Sequence, residues 1–228
     1  MAWRDDWRRV RAIARKDVTT ELRAKAGFNS VASLGVTILI LLGLALGPDA
    51  QALRDAAVGA VWLALLFSGV LAFNRSFQVE LESGALEPLL LYPGPRWTIF
   101  AGKLLGNLIF LTLMVAIVVT VGIVLFSVDI PSRWPTLLGV LALGVLGLTI
   151  LGTFYASMAS RSRAREVLLP LLLFPMLVPV LVAATTASKA LLGADLMHDA
   201  DAWIKLIAAY DVIFLIATFL AFEHVIEA

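Results

Sequence analysis

The stretch NRSFQVELESGALEPLLLYPGPRW, Asn74 to Trp97, is the longest polar interruption between two apolar runs in the middle of the chain, and the fold turns on how it is read. Phe77 and Leu81 stand four apart. Leu86, Leu89 and Leu90 follow at offsets of three and four, the spacing of an amphipathic helix, with Glu80, Glu82 and Glu87 between them. Gly84 interrupts the run, Pro88 suits the first turn of a short new helix, and Tyr92-Pro93-Gly94-Pro95 closes it. The spacing predicts a water-side hairpin, residues 74–97, that presents a small helix outside a bilayer. A solvated loop joining two spans fits it equally well.

The sequence on either side reads as membrane. Of 228 residues 61% are hydrophobic and only 15% charged, with a mean hydropathy of +0.93, against roughly 25% charged residues in an average soluble domain. The apolar residues gather in long uncharged runs, and about 20 helical residues suffice to cross a hydrocarbon core of about 30 Å. Six spans are expected, at about Phe28 to Gly47, Ala56 to Phe73, Leu104 to Val128, Trp134 to Ser160, Val167 to Ser188 and Leu206 to Phe222. The fold class is therefore an all-α polytopic membrane protein. A charged segment precedes the first run, which is unlike a cleavable signal peptide and points to insertion through the first span.

That leading segment, Met1 to Lys25, holds eight basic and four acidic side chains, with Trp3, Trp7, Val10, Ala14, Val18 and Leu22 roughly on one face. It predicts an amphipathic helix over residues 1–27 lying on an anionic leaflet, ahead of a permease domain over 28–228. Lysines and arginines decide orientation. With the N-terminus inside, the inner segments carry fourteen (Arg75, Arg96 and Lys103 in the hairpin among them) and the outer loops four: Arg54, Arg133, Lys189 and Lys205. Both termini and the hairpin are expected to face the cytoplasm.

Two spans carry unusual residues. Gly139, Gly144, Gly147 and Gly152 of the fourth spread over about 220° at 100° per residue, which predicts close helix approach on more than one side. Pro170, Pro175 and Pro179 each remove a backbone donor from the fifth, so that helix is expected to be kinked and covered by protein. A flexible element beside a substrate path and a static kink suit this equally. Asp211 is the lone acid in a predicted span, set about five residues into the run near the outer interface.

Several chemistries are excluded. No cysteine is present, so disulfides, thiolate metal sites and covalent haem attachment through CxxCH are ruled out. No phosphate loop occurs, since Gly102-Lys103 lacks the upstream glycine and precedes leucine, and neither HExxH nor GxSxG is found. No catalytic residue, metal ligand or cofactor of its own is expected, and the chain is not read as an enzyme. His198, beside Met197 in an outer loop, fits a solvated histidine better than a haem ligand, because adjacent residues hardly serve as opposite axial ligands. A net charge of +1 argues for no nucleic-acid partner.

Arg75-Ser76-Phe77 followed by ELESGALEPLLLYP, Glu80 to Pro93, resembles the cytoplasmic coupling segment of ABC-2-type exporter permeases. RAREVLLPLLLFPMLVPVL, Arg163 to Leu181, resembles the signature of the CcmB family, the haem-exporter-type permease of cytochrome c maturation, and length, span number and Asp211-Val212-Ile213-Phe214 agree with it. The resemblance implies a permease in the bacterial inner membrane, used in two copies with two copies of a cytoplasmic ABC ATPase that hydrolyses ATP. Further haem-handling membrane subunits and a haem chaperone would join it, and the cycle would export haem or release the loaded chaperone. Arg75, Phe77, Glu82, Gly84, Leu86, Glu87 and Pro93 are the residues it implies for ATPase docking, and Pro175 and Pro179, with Pro170 as an additional break, for the fifth helix. An exporter of another lipid, polysaccharide or drug, and a non-transporting scaffold for the ATPase, are the competing functions.

Overall fold

The computed structural model describes residues 2–23, 25–82, 84, 95–160, 165–193 and 199–227. Among them are seven helices and no strand: α1 (Ala2–Arg23), α2 (Ala26–Leu46), α3 (Ala50–Glu82), α4 (Trp97–Leu125), α5 (Trp134–Ala159), α6 (Arg165–Leu192) and α7 (Asp199–Glu227). Helices α2 to α7 are each long and apolar enough to span a membrane, where a helix is favoured because it satisfies its own backbone groups without water. Leu86, Glu87 and Pro93 lie outside the described residues, as do Met197 and His198.

Helices α3 and α5 form the centre of the bundle, and α2 and α7 its flanks. The glycines of α5 explain how the centre closes. A methyl group on Gly144 would come 2.3 Å from the Trp62 ring, and one on Gly152 2.1 Å from the Phe73 ring, so these two glycines seat the aromatic side chains of α3. A methyl on Gly147 would meet Asp211 of α7 at 2.5 Å and Val180 of α6 at 3.2 Å. Three of the four glycines thus meet three different neighbours, while Gly139 meets nothing within 4 Å.

The polar stretch departs from the expected hairpin at both ends. Helix α3 runs straight through residues 74–82, and its 33 residues make a rod of about 50 Å, well beyond a hydrocarbon core of about 30 Å. Gly84, at φ 64, follows its end and donates its N–H to the Leu81 carbonyl at 3.2 Å, a left-handed stop that favours glycine. Helix α4 likewise begins seven residues before the expected Leu104, which places Lys103 inside a helix. Charges enter these helices because they find partners there.

Two further expectations are corrected. Helix α6 continues through Pro170, Pro175 and Pro179, and Pro175 and Pro179 lie on its exposed side instead of being covered. Its buried face is Leu169, Leu173, Leu177, Val180 and Ala184. The last helix starts at Asp199 instead of the expected Leu206, so Asp211 stands twelve residues into α7, about 18 Å from the start of the helix.

Candidate functional site

The site grows out of the way α1 docks. Val10, Ile13 and Ala14 are buried against the start of α4, where Gly102 and Gly106 present no side chains. A methyl on Gly102 would approach Ile13 to 2.7 Å, and one on Gly106 would approach Asp17 Cβ to 3.2 Å. Two glycines four apart make a groove that lets helices pack closely. Of the expected apolar face of α1, Val10 and Ala14 are thus packed on protein, while Leu22 is exposed, as are Trp3 and Trp7, edge to face with centroids 5.8 Å apart at the far end.

Between those glycines Lys103 points into a cluster of charge. Its side chain is 1% exposed, and its Nζ lies 3.0 Å from Asp17 Oδ2 and 3.0 Å from Glu80 Oε1. The same ammonium donates to the Ser76 carbonyl at 2.7 Å and stands 5.1 Å from the centroid of the Phe77 ring, within range of a cation–π contact. Lys16 completes the group, with Nζ 2.5 Å from Glu80 Oε1 and 3.3 Å from Asp17 Oδ1. Two lysines and two carboxylates balance in formal charge. That balance is what makes the burial tolerable, because an unpaired ion there costs several kcal/mol, of order 3–5 when a partner is removed.

Burial alone lowers the pKa of the Lys16 ammonium. Its hydrogen bond to Glu80 and the charges of Asp17 and Glu80 outweigh that and hold it above its usual 10.5.

A second ion pair runs parallel to the first. Arg75 of α3 places Nε 3.1 Å from Glu21 Oε1 of α1, and Gly27 at the start of α2 leaves room for it, since a methyl there would meet Arg75 at 2.2 Å and Glu21 at 2.3 Å. The first group and Glu21 of the second pair border a cavity of about 260 Å³ whose lining includes Thr20, Ser76, Val79 and Asn107. On its far wall Asn107 Nδ2 donates to Thr153 Oγ1 at 2.9 Å and ties α4 to α5.

Of the residues singled out for docking, Arg75 and Phe77 thus belong to this cluster, with Phe77 buried beneath Lys103. Glu82 ends α3, and Gly84 is exposed at the turn. Asp211 belongs to a different place, at 3% exposure with neither carboxylate oxygen hydrogen-bonded among the described residues. Beside it Tyr210 donates to the Met176 carbonyl of α6. The roles of Lys16, Asp17 and Lys103 went unread in the sequence. The signal was present as Gly102-x-x-x-Gly106 flanking a lysine, which makes sense only once α1 is known to lie in that groove.

At the opposite end of the bundle a cavity of about 430 Å³ is lined almost wholly by apolar side chains, with Trp62 and Trp134 the largest. Trp62 Nε1 donates to Ser188 Oγ at 3.2 Å across it. The ion pairs at this end, Arg54 with Asp129 at 3.5 Å and Arg133 with Asp201 at 3.6 Å, lie on the surface.

Comparison with known proteins agrees with this architecture. The family model described as CcmB protein matches residues 8–228. Proteins named heme exporter protein B are similar throughout: that of Paracoccus denitrificans is 30% identical over 82% of this chain and 86% of its own length. The Rhodobacter capsulatus protein is 30% identical over 76% of this chain and 79% of its own length. The one from Pseudomonas aeruginosa is 31% identical over 67% and 68%. With nearly every described helix inside the matched region, the chain belongs to the CcmB family.

Proposed function

We propose that this chain is the permease subunit of an ABC-type haem exporter acting in cytochrome c maturation. It is a multi-pass protein of the bacterial inner membrane. The observation that carries the function is the family match over residues 8–228, together with relatives named as haem exporters across most of both chains.

The finer parts of the proposal follow from how charge and length are distributed. The end with α1, the overhang of α3 and the start of α4 faces the cytoplasm, as its lysines and arginines suggest. Residues 83–94 join the ends of α3 and α4 there, and a cytoplasmic ABC ATPase, two copies against two copies of this chain, docks on that connection. ATP hydrolysis belongs to that partner. Glu82, Gly84, Leu86, Glu87 and Pro93 supply the contact, while Arg75 and Phe77 support it from within. The cycle moves haem outward or releases a haem-loaded chaperone, together with other haem-handling membrane subunits.

Deletion of the gene in its own host, followed by staining membranes for covalently bound haem, tests the function. Loss of all c-type cytochromes, restored by the intact chain, is expected. Normal c-type cytochromes would point instead to an exporter of other cargo.

A further inference from the structure

The two sides of the 260 Å³ cavity are held in different ways. Helix α1 packs main chain against main chain along α4, seated by Gly102 and Gly106. Toward the overhang of α3 its polar links are made by long side chains reaching across, Lys16 to Glu80 and Glu21 to Arg75. Lys103 of α4, 1% exposed, reaches the same Glu80 Oε1 at 3.0 Å and the Ser76 carbonyl at 2.7 Å, so Glu80 takes both lysines of the α1–α4 side, the Lys16 side chain being 47% exposed. The overhang, about nine residues past the expected end of the span, leads directly into the connection 83–94.

From this geometry we infer that α1 and the start of α4 form one rigid block, and that Lys16, Glu21, Arg75 and Glu80 are positioning residues: two ionic struts that hold the α3 overhang against that block across the cavity. Displacing the connection levers α3 away from α1, and the seam opens by exchanging its ion pairs with water. The cavity provides the room beside the struts, and Phe77 is the apolar side chain of the overhang that has to shift. Gly27 keeps the second strut in place by leaving space for the Arg75 guanidinium. The struts stand on the geometry alone, and only their use by an ATPase rests on the proposed function.

The absence of cysteine makes the test clean. Spin labels at Thr20→Cys and Val79→Cys report the distance between α1 and α3 across the cavity, and labels at Arg11→Cys and Leu105→Cys report α1 against α4. The whole chain is reconstituted in nanodiscs. In Glu80→Ala/Glu21→Arg, which releases both Lys16 and Lys103 from the Glu80 carboxylate, the first distance is expected to lengthen by about 5 Å, the scale of helix displacements in switching proteins, with the second unchanged. Exchanging the pair, Glu21→Arg with Arg75→Glu, should restore the original distance at that strut.

An unchanged first distance overturns the inference, as does a change in both distances, which would mean that α1 comes off α4 as well. In complex with the partner ATPase, trapping nucleotide should lengthen the first distance in the unsubstituted struts. A complex that hydrolyses ATP with no such change overturns the lever and leaves the permease function standing. Failure of any ATPase to bind contradicts the proposed function, and the variants in the isolated chain still decide the struts.

Discussion

The two ends of the bundle meet water with opposite designs. At the α1 end, Lys103, Glu80 and Asp17 are drawn inside and paired with one another, and a 260 Å³ cavity runs beside them. At the other end the charges stay on the surface as two loose pairs, with side chains from 43% to 88% exposed, and the interior is a 430 Å³ cavity of apolar walls. A buried ionic cluster resists the loss of any member, because each leaves a charge behind. Exposed pairs contribute roughly 0–1 kcal/mol. The first end therefore has a geometry that depends on each of its charged partners, while the second is held by oily contact and tolerates change in its charges.

The sharpest way to break this contrast is Lys103→Met, which takes the buried ammonium away from Glu80 and Asp17. A loss of about 3 kcal/mol is expected, read as a lowered midpoint of thermal unfolding in detergent. Gly102→Val should come next. Its Cβ meets Ile13 at 2.7 Å and the Val10 carbonyl at 3.2 Å, and overpacking of this kind costs about 1–3 kcal/mol. Faster proteolysis within α1 than in the rest of the chain would show that the helix has lifted.

A smaller effect is expected at alkaline pH. Because the Lys16 pKa stands above 10.5 in the folded protein, its strut contributes fully below pH 10.5 and fades as pH rises through the higher folded value. The Thr20 to Val79 label distance should hold steady up to pH 10.5 and lengthen only above it. The smallest change is Arg54→Met at the opposite end, expected to shift stability by no more than about 0.5 kcal/mol. A loss comparable with Lys103→Met there would erase the distinction between the two ends.

Much of the bundle was legible because membranes enforce a simple rule: long uncharged runs become spans. All six appear where the runs lie. Helix boundaries at charged residues are not legible in this way, because polarity does not end a helix whose charges are paired. Glu80 and Lys103 sit inside helices because each is the other's partner, and partnership between residues 80 and 103 leaves no local trace. The prolines misled for a related reason. Their missing donors suggested a need for cover, yet the helix carries Pro175 and Pro179 on its outer side and packs through its leucines and alanines. Asp211 is legible as an acid in a span, whereas the start of α7 at Asp199, several residues ahead of the apolar run, is not.

The central claim is that the α1 end is the cytoplasmic end, where force arrives. The cysteine-free chain allows it to be tested with one substitution at each end, Pro95→Cys beside the connection and Ile130→Cys at the opposite end, both at exposed positions. A membrane-impermeant maleimide added to spheroplasts should label Ile130→Cys and spare Pro95→Cys, and inverted vesicles should give the reverse. Labelling of Pro95→Cys from outside intact spheroplasts would put the ionic cluster on the wrong side of the membrane for a cytoplasmic ATPase and contradict the account.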